Sequence, residues 1–380
     1  MKIGLVCPYN VALGGGVQEI VRALREHLEA RGHTARIITA QPRDLSGIDT
    51  TGMIFLGTAI DLRWPNHTTA PLSSSISMEA VEQVIETEKF DILHFHEPWV
   101  PVLSRQILSR SQSVNIATFH AKVPETIMNR TLAKVVTPYL RTVLRDLHEL
   151  TAVSEPAAEY VSSLTERPIT IIPNGIDLDR YAFTPHPEAS SPRTILYVGR
   201  LEHRKGLKYL LRAYQLLKQS GEDVRLLIVG QGPDRPRLEL FVSEMGIANV
   251  TFLGYVGDDE KIRLLERADL FCSPAVFGES FGIVLLEAMA SGTVAVAGDN
   301  PGYASVMREL GALSLVNPRD TTEFARRLKL LLDESSLRRA WQAWAKPYVR
   351  QFSYERIVDQ YEHLYKTAIE THATRTFTGA

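Results

Sequence analysis

"LFCSPAVFGESFGIVLLEAMASGTVAVAG", residues 270–298, reads as a short apolar strand, a loop of small residues, an apolar helix and a second apolar strand. Two short apolar strands joined through a helix are the unit from which parallel sheets are built. The helical part carries two carboxylates, Glu279 at the loop and Glu287 among Leu285, Leu286, Ala288 and Met289. Buried glutamate is rare unless something holds it. Three readings compete. An acid/base pair of the glycosidase kind needs carboxyl groups about 5–9.5 Å apart, whereas the eight residues from Glu279 to Glu287 span roughly 12 Å of helix. In the second reading Glu287 is a satisfied structural residue and Glu279 a solvated one. In the third, both grip one long polar ligand at two points. Gly278, Ser280 and Gly282 then expose backbone N–H groups at a helix start, a natural seat for phosphate.

The same alternation runs outward through the chain. On the N-terminal side "KIGLVC", "ARIIT", "MIFL", "DILHF", "NIATF", "LTAV" and "ITIIP" read as strands, with helical patterns over 15–31, 78–88 and 125–147. A second series, "RTILYVG", "RLLIVG", "VTFLG", "LFCSP", "VAVAG" and "LSLV", alternates with helices over 207–219, 234–245, 258–267 and 322–333. The break falls at "PNGIDLDRYAFTPHPEASSPR", residues 173–193, rich in Pro, Ser and charge. The fold class is therefore α/β, two Rossmann-like doubly wound domains facing a central cleft. Their expected bounds are 1–173 and 194–350, with a linker over 174–193. Ligands of such sheets bind beyond the carboxyl ends of the strands. Residues 354–370 form a last helix, and 371–380 read as a disordered tail.

Composition narrows the function. The 380 residues are 44% apolar and 23% charged, and the formal charge of −2 argues against a nucleic-acid binder. The two cysteines, Cys7 and Cys272, sit singly in apolar strands, which fits a reducing cytosol. No apolar run is long enough to cross a bilayer. The expected place is the cytoplasm, or the inner face of a membrane.

"VGRLEHRKG", residues 198–206, follows a strand and supplies Arg200 and Lys205 beside glycines. A basic loop at a strand end, facing a helix N-terminus, suits a diphosphate. Arg204 reads as a solvated charge. "VGQGPDRP", residues 229–236, is a second tight turn, at Gly230. Neither it nor "GGGVQE" completes G-x-G-x-x-G, which weighs against a nicotinamide oxidoreductase.

Taken together, "GESFGIVLLEAMASG", "VGRLEHRKG", "IPNGID" and "GGGVQE" resemble the retaining glycosyltransferases of family 4, which have the GT-B fold. The resemblance runs from Lys2 to about Tyr365. "FDILHFHEPWVP" and "ATFHA" look most like the phosphatidylinositol α-mannosyltransferase branch. The resemblance implies a first, acceptor-side domain completed by helix 354–370 and a second that binds a nucleotide sugar. It implies that Glu279 faces the donor hexose, with Phe281, Gly282, Ile283 and Val284 beside sugar and phosphates, and that Glu287 takes the ribose hydroxyls. Arg200 and Lys205 would hold the leaving diphosphate, Gly15, Gly16 and Gly230 would let backbone approach the nucleotide, and His120 would line the sugar site. Tyr9, Gln18 and Lys122 match positions near the acceptor.

The implied reaction moves a hexose, mannose from GDP-mannose first, to a hydroxyl acceptor such as a lipid or glycolipid, with retention. A UDP-glucose or UDP-N-acetylglucosamine enzyme of the same fold, and a non-catalytic two-domain solute binder, are the alternatives. No metal or other cofactor is expected. Asp177-Leu178-Asp179 reads as turn chemistry, and His94, His96 and His120, which share a sheet face, read as cleft wall rather than as a zinc site. Over 125–147, Arg130, Lys134, Arg141 and Arg145 form a basic stripe over an apolar back. This is the pattern of a helix on an anionic membrane and equally of a solvated face packed on its sheet. The basic helix that helps the branch engage membranes is replaced here by "ISMEAVEQVIETEKFD", with Glu79, Glu82, Glu86 and Glu88.

Overall fold

The alternating strands and helices assemble, in a computed structural model of the protein, into two units, Met1–Gly175 with Tyr354–Ala380 and Ile176–Ser353. The structure describes all residues except 12–14, 43, 45–48, 64–68, 75–76, 122–129, 185–190 and 379–380. The first unit runs β1 (Lys2–Val6), α1 (Gly16–Ala30), β2 (Thr34–Gln41), β3 (Met53–Arg63), β4 (Thr69–Ser74), α2 (Met78–Glu88) and β5 (Ile92–His96). It continues through α3 (Leu103–Leu108), β6 (Val114–Phe119), α4 (Arg130–Arg145), β7 (Glu149–Ala152), α5 (Glu155–Ser162) and β8 (Thr170–Ile171). The second unit begins its sheet with β9 (Arg193–Val198), α6 (Leu207–Gln219), β10 (Val224–Val229), α7 (Arg235–Glu244), β11 (Val250–Gly254) and α8 (Asp258–Arg267). Then come β12 (Leu270–Ser273), α9 (Ile283–Ser291), β13 (Ala295–Gly298), α10 (Pro301–Val306), β14 (Leu315–Val316), α11 (Thr321–Asp333) and α12 (Ser335–Tyr348). The last helix, α13 (Tyr354–Thr378), belongs to the first unit.

The first sheet has the order β4-β3-β2-β1-β5-β6-β7-β8 and is parallel except for the β3–β4 pair. The second, β11-β10-β9-β12-β13-β14, is parallel throughout. Helices cover such sheets on both faces, so their strands are apolar at successive positions instead of alternating. All of β5 is buried, which takes two histidines, His94 and His96, out of water. On α1 the positions spaced three and four apart, Ile20, Val21, Leu24 and Leu28, face the core. There Val21, Leu24 and Leu28 join Ile357, Val358, Tyr361 and Tyr365 of α13. The rim of that contact is polar, with Arg31 Nη1 2.5 Å from Asp359 Oδ1 and His33 Nε2 2.9 Å from Glu362 Oε1.

Two expectations from sequence are corrected. The segment 371–378 continues α13 rather than forming a disordered tail, because no Gly or Pro precedes Gly379 to stop the helix. The presumed linker residues from Ile176 onward belong to the second unit: Ile176 is buried, its N–H reaches the Phe352 carbonyl at 2.8 Å, and Thr184 reaches that of Ser291. Strand β4, "TAPLSS", was not anticipated, since it is placed by antiparallel backbone pairing with β3 and carries little apolar signal. Nor was α12, whose fully buried Trp341 donates its indole N–H to Ser314 Oγ at 2.9 Å. Asp177 does serve a turn, its side chain accepting the Asp179 N–H at 3.2 Å. Of the helix read over 125–147, residues 125–129 lie outside the described residues; in the rest Arg141 and Arg145 are exposed while Leu140, Val143, Leu144 and Leu147 are buried. Among the described residues no helix is long and apolar enough to cross a membrane.

Gly230, at the end of β10, has φ +128° and donates its N–H to the Gly254 carbonyl at 2.7 Å. A Cβ there would lie 1.9 Å from the Gly199 carbonyl oxygen. Gly230→Ala therefore destabilises the second unit by about 1–3 kcal/mol for the forced backbone alone, read as a lower urea midpoint. An unchanged midpoint would contradict this packing. A second prediction concerns pH. Burial lowers His94 and His120 from 6.5 to about 3 and takes His96 well below its usual range, so the folded chain refuses protons that the unfolded chain accepts. Stability is fully present above pH 6.5 and falls as pH drops toward 3. Glu97, raised from 4.5 to about 8 by burial, has the opposite sign, its contribution fading as pH rises from 4.5 through 8. Urea titrations at pH 7 and pH 5 should show the lower midpoint at pH 5, because three imidazoles outweigh one carboxyl.

Candidate active site

The second sheet changes direction between β9 and β12: β10 and β11 extend one side of it, β13 and β14 the other. The crevice outside such a switch point is where doubly wound sheets bind ligands. The residues following β9 and β12 converge there. After β9 the chain passes Arg200 and Glu202 and makes a short turn over His203–Lys205. It then enters α6 through Gly206. After β12 it passes Glu279 and enters α9 through Gly282, at φ +115°, where a Cβ would strike the Tyr303 ring at 2.7 Å. No side chain caps α9, so the N–H groups of its first turn, from Ile283 and Val284, remain for an anion. Phe281 is buried just ahead of them, its ring edge-on to Phe352 at 5.9 Å.

Glu279 is the meeting point of the two loops. Its Oε1 lies 2.6 Å from Arg204 Nη1 and 2.8 Å from Lys205 Nζ. Arg204 also donates to the Gly278 carbonyl at 3.1 Å and, through Nε, to Glu202 Oε2 at 3.0 Å. Glu202 in turn lies 2.9 Å from Arg200 Nη2. This corrects the solvated reading of Arg204, whose guanidinium bridges two carboxylates. Burial pulls its pKa down, but Glu279 and Glu202 outweigh burial and hold it above its ordinary value. Alternating charge in "RLEHR" was the available signal; which acid each arginine would choose was not readable. Lys205, read from sequence as a diphosphate ligand, pairs here with Glu279.

Glu287 is buried in α9 and pairs with a different cation, Lys261 Nζ of α8 at 2.8 Å. Lys261 also reaches Asp258 Oδ1 at 3.3 Å. Burial, then Glu287, raises the Tyr181 phenol above its ordinary range. Glu279 of the loop and Glu287 of the helix are thus held by separate cations on separate elements, unlike an acid/base pair. Gly230 approaches the backbone of Gly199, so it props the basic loop from behind.

The first unit holds the remaining residues. Gly15 precedes α1 and Gly16 begins it, and Glu19 N–H reaches the Gly15 carbonyl at 3.0 Å. Gln18 is buried, with Nε2 3.4 Å from the Asn10 carbonyl oxygen. Tyr9 is half-buried, and its phenol is pushed well up by burial and then by Glu97 and Cys7. Lys122 lies outside the described residues. His120 follows β6 and is buried, its Nε2 2.9 Å from His96 Nδ1. His94 is fully engaged, with Nδ1 2.8 Å from the Tyr365 hydroxyl and Nε2 2.6 Å from Thr118 Oγ1. Among the described residues no group of three or more His, Cys, Asp or Glu is arranged to hold a metal. Sequence reasoning missed Glu97, a fully buried carboxyl group just past β5 that takes the backbone N–H of His120.

Comparison with known proteins agrees with this geometry. Residues 14–180 match the Glycosyltransferase Family 4 family, and residues 182–347 match Glycosyl transferases group 1. The phosphatidyl-myo-inositol mannosyltransferase of Mycobacterium leprae is 33% identical over 374 residues, covering 97% of each chain. That of Mycolicibacterium smegmatis is 31% identical over 372 residues, 97% of this chain and 94% of its own. Among solved structures, sucrose-phosphate synthase from Thermosynechococcus elongatus superposes with a TM-score of 0.79 at 21% identity, covering 97% of this chain and 99% of its own. The Anabaena protein HepE in complex with UDP and glucose gives 0.76 at 17% identity, with 97% and 100% covered. With two parallel-sheet units, the GT-B architecture of these neighbours and relatives alike along nearly the whole chain, the protein belongs to the family 4 glycosyltransferases and is a glycosyltransferase.

Proposed function

We propose that the enzyme is a retaining, metal-independent hexosyltransferase that moves mannose from GDP-mannose to a hydroxyl of a lipid-linked acceptor. The observation that carries this reading is Glu279 held by Arg204 and Lys205 at the uncapped start of α9. The mannosyl donor and lipid acceptor rest on relatives named phosphatidyl-myo-inositol mannosyltransferases.

In this reading the donor's diphosphate takes the place of Glu279 on Lys205, and Arg200 swings to it from Glu202. Arg204 keeps Glu279 aimed at the sugar hydroxyls. Glu287 accepts the ribose hydroxyls, with Lys261 still neutralising it. The bond from the anomeric carbon to the phosphate oxygen breaks as the acceptor oxygen bonds that carbon on the same face. The acceptor's proton passes to the departing phosphate oxygen. Charge builds on the diphosphate, and fixed cations with a helix N-terminus stabilise it where it forms. The first-unit residues His120, Tyr9 and Gln18 serve the sugar and the acceptor. The UDP-glucose alternative keeps the same cations and the same steps, and only the base and epimer contacts differ.

Calorimetric titration with GDP, UDP and ADP in buffer with a chelator tests the donor. Selective GDP binding is expected; selective UDP binding would move the function to a glucosyl- or N-acetylglucosaminyltransferase, and binding that needs a divalent ion would overturn metal independence. Kinetics test the roles. Lys205→Ala lowers kcat by about 100- to 1,000-fold, the loss typical of one transition-state charge partner. Glu287→Ala mainly raises the donor KM, because ribose binding is alike in ground and transition states. A Lys205→Ala enzyme with normal kcat would refute the diphosphate assignment.

A further inference from the structure

The loop between β12 and α9, residues 274–282, carries Glu279 and ends at the open N–H groups of α9. Gly278 and Gly282 both have left-handed φ, and such glycines give a loop freedom that something else must remove. The loop rests on one turn, residues 300–303, where β13 passes into α10. All of that turn but Pro301 is buried.

The turn touches the loop at its start, middle and end. At the start, Asn300 uses both halves of its amide. Oδ1 accepts the Tyr303 N–H at 3.0 Å and caps α10, while Nδ2 donates to the Ala275 carbonyl at 3.0 Å. Aspartate would cap as well but has no proton to give. In the middle, a Cβ on Gly302 would lie 2.2 Å from the Glu279 carbonyl oxygen and 2.8 Å from the Ser280 nitrogen. Both are backbone atoms, which cannot swing aside as a side chain can. Gly302 lies inside α10 and its φ is not left-handed, and glycine in a helix costs about 1 kcal/mol relative to alanine. What it supplies is space, taken up by the peptide that joins Glu279 to Ser280. At the end, the fully buried Tyr303 ring lies against Gly282, and its hydroxyl is 2.7 Å from Ser273 Oγ of β12.

We propose that Asn300, Gly302 and Tyr303 are positioning residues for the donor site, each acting at its own point on the loop. Gly302 sets the peptide of Glu279 and so aims its carboxylate at the transferred sugar. Tyr303 sets Gly282 and so the α9 N–H groups that meet the diphosphate. Asn300 anchors the start of the loop. The seat is complete before a ligand enters, so the side chains of Arg200 and Lys205 are what move when the donor arrives. This inference rests on the reading of Glu279 as a sugar contact and of the α9 N-terminus as the diphosphate seat.

Hydrogen exchange of the full-length, ligand-free enzyme tests the seat without any variant. The Val276 and Leu285 N–H groups, bonded to the Arg204 and Gly282 carbonyls at 2.9 Å, are expected to exchange as slowly as those of β12. Fast exchange at these positions until GDP is added would overturn a preset loop. Kinetics then separate the residues, read as GDP release from GDP-mannose with phosphatidylinositol vesicles or water taking the sugar. Gly302→Ala is expected to lower kcat by about 100-fold, as a misplacement of about an ångström does, with GDP affinity unchanged. Asn300→Ser, which keeps a cap on α10, is expected to give a smaller loss of the same kind. Tyr303→Leu is expected to weaken GDP by about 10-fold, the scale of one lost hydrogen bond to a charged group. Tyr303→Phe keeps the ring and is expected to bind GDP normally. Full kcat in a folded Gly302→Ala or Asn300→Ser enzyme, or GDP affinity falling in step with kcat, would sink the sugar half. Equal losses in both Tyr303 variants would sink the diphosphate half. If calorimetry selects UDP, the same comparisons are made with UDP and UDP-glucose. If neither nucleotide binds, the functional reading fails, while exchange in the ligand-free enzyme still decides whether the loop is preset.

Discussion

The carboxylate of Glu279, shared by Arg204 and Lys205, is the contact on which the second unit's chemistry depends. It joins the loops that follow β9 and β12, the neighbours between which the sheet changes direction. Cations placed side by side repel one another, and without acids among them Arg200, Arg204 and Lys205 would not stay converged. Glu202 and Glu279 remove that repulsion. Three cations and two carboxylates leave one net positive charge (3 − 2 = 1), beside the open N–H groups of α9. The site is thus organised before a ligand enters and still favours an anion. Preorganised charge of this kind is what an electrostatic catalyst needs, because little has to move when negative charge develops.

The first unit solves a different problem. Its strand ends carry groups that burial keeps neutral: His94 and His120 lowered to about 3, and Glu97 raised to about 8. Buried polar groups are tolerable only when hydrogen-bonded, and the chain spends Thr118, Thr151, Tyr361 and Tyr365 on them. Thr118 Oγ1 lies 2.6 Å from both His94 Nε2 and Thr151 Oγ1. The two tyrosines come from α13, so the helix that closes the core also ties the imidazoles in place.

The alternation of apolar strands with amphipathic helices made the fold legible in sequence, because burial on two faces leaves a run of apolar residues and burial on one leaves a stripe. Where placement depends on backbone pairing, as in β4, the side chains were silent. The candidate site was legible in its residue types: Arg200, Lys205 and Glu279 lie on the loops that follow β9 and β12, and Glu287 lies in α9. Their partners were not. Whether Arg204 meets water or two carboxylates depends on the path of the loop after β9, and no periodicity reports that. Glu97 hid in plain view, since an acid after a buried strand usually turns outward, and its left-handed backbone turns it inward.

On the function proposed above, these two regimes would divide the work of a front-face transfer. The leaving diphosphate carries charge throughout, so fixed ions, neutralised almost but not fully, suit it. The attacking hydroxyl has to keep its proton until the phosphate oxygen can take it. An accessible base nearby would remove that proton early, and a stable alkoxide is far from a hydroxyl's acidity in water. Imidazoles that burial holds neutral, with pKa values far below the usual range, cannot do so. On that reading the buried histidines of the first unit are most useful for what they refuse to accept, and burial is what enforces the refusal.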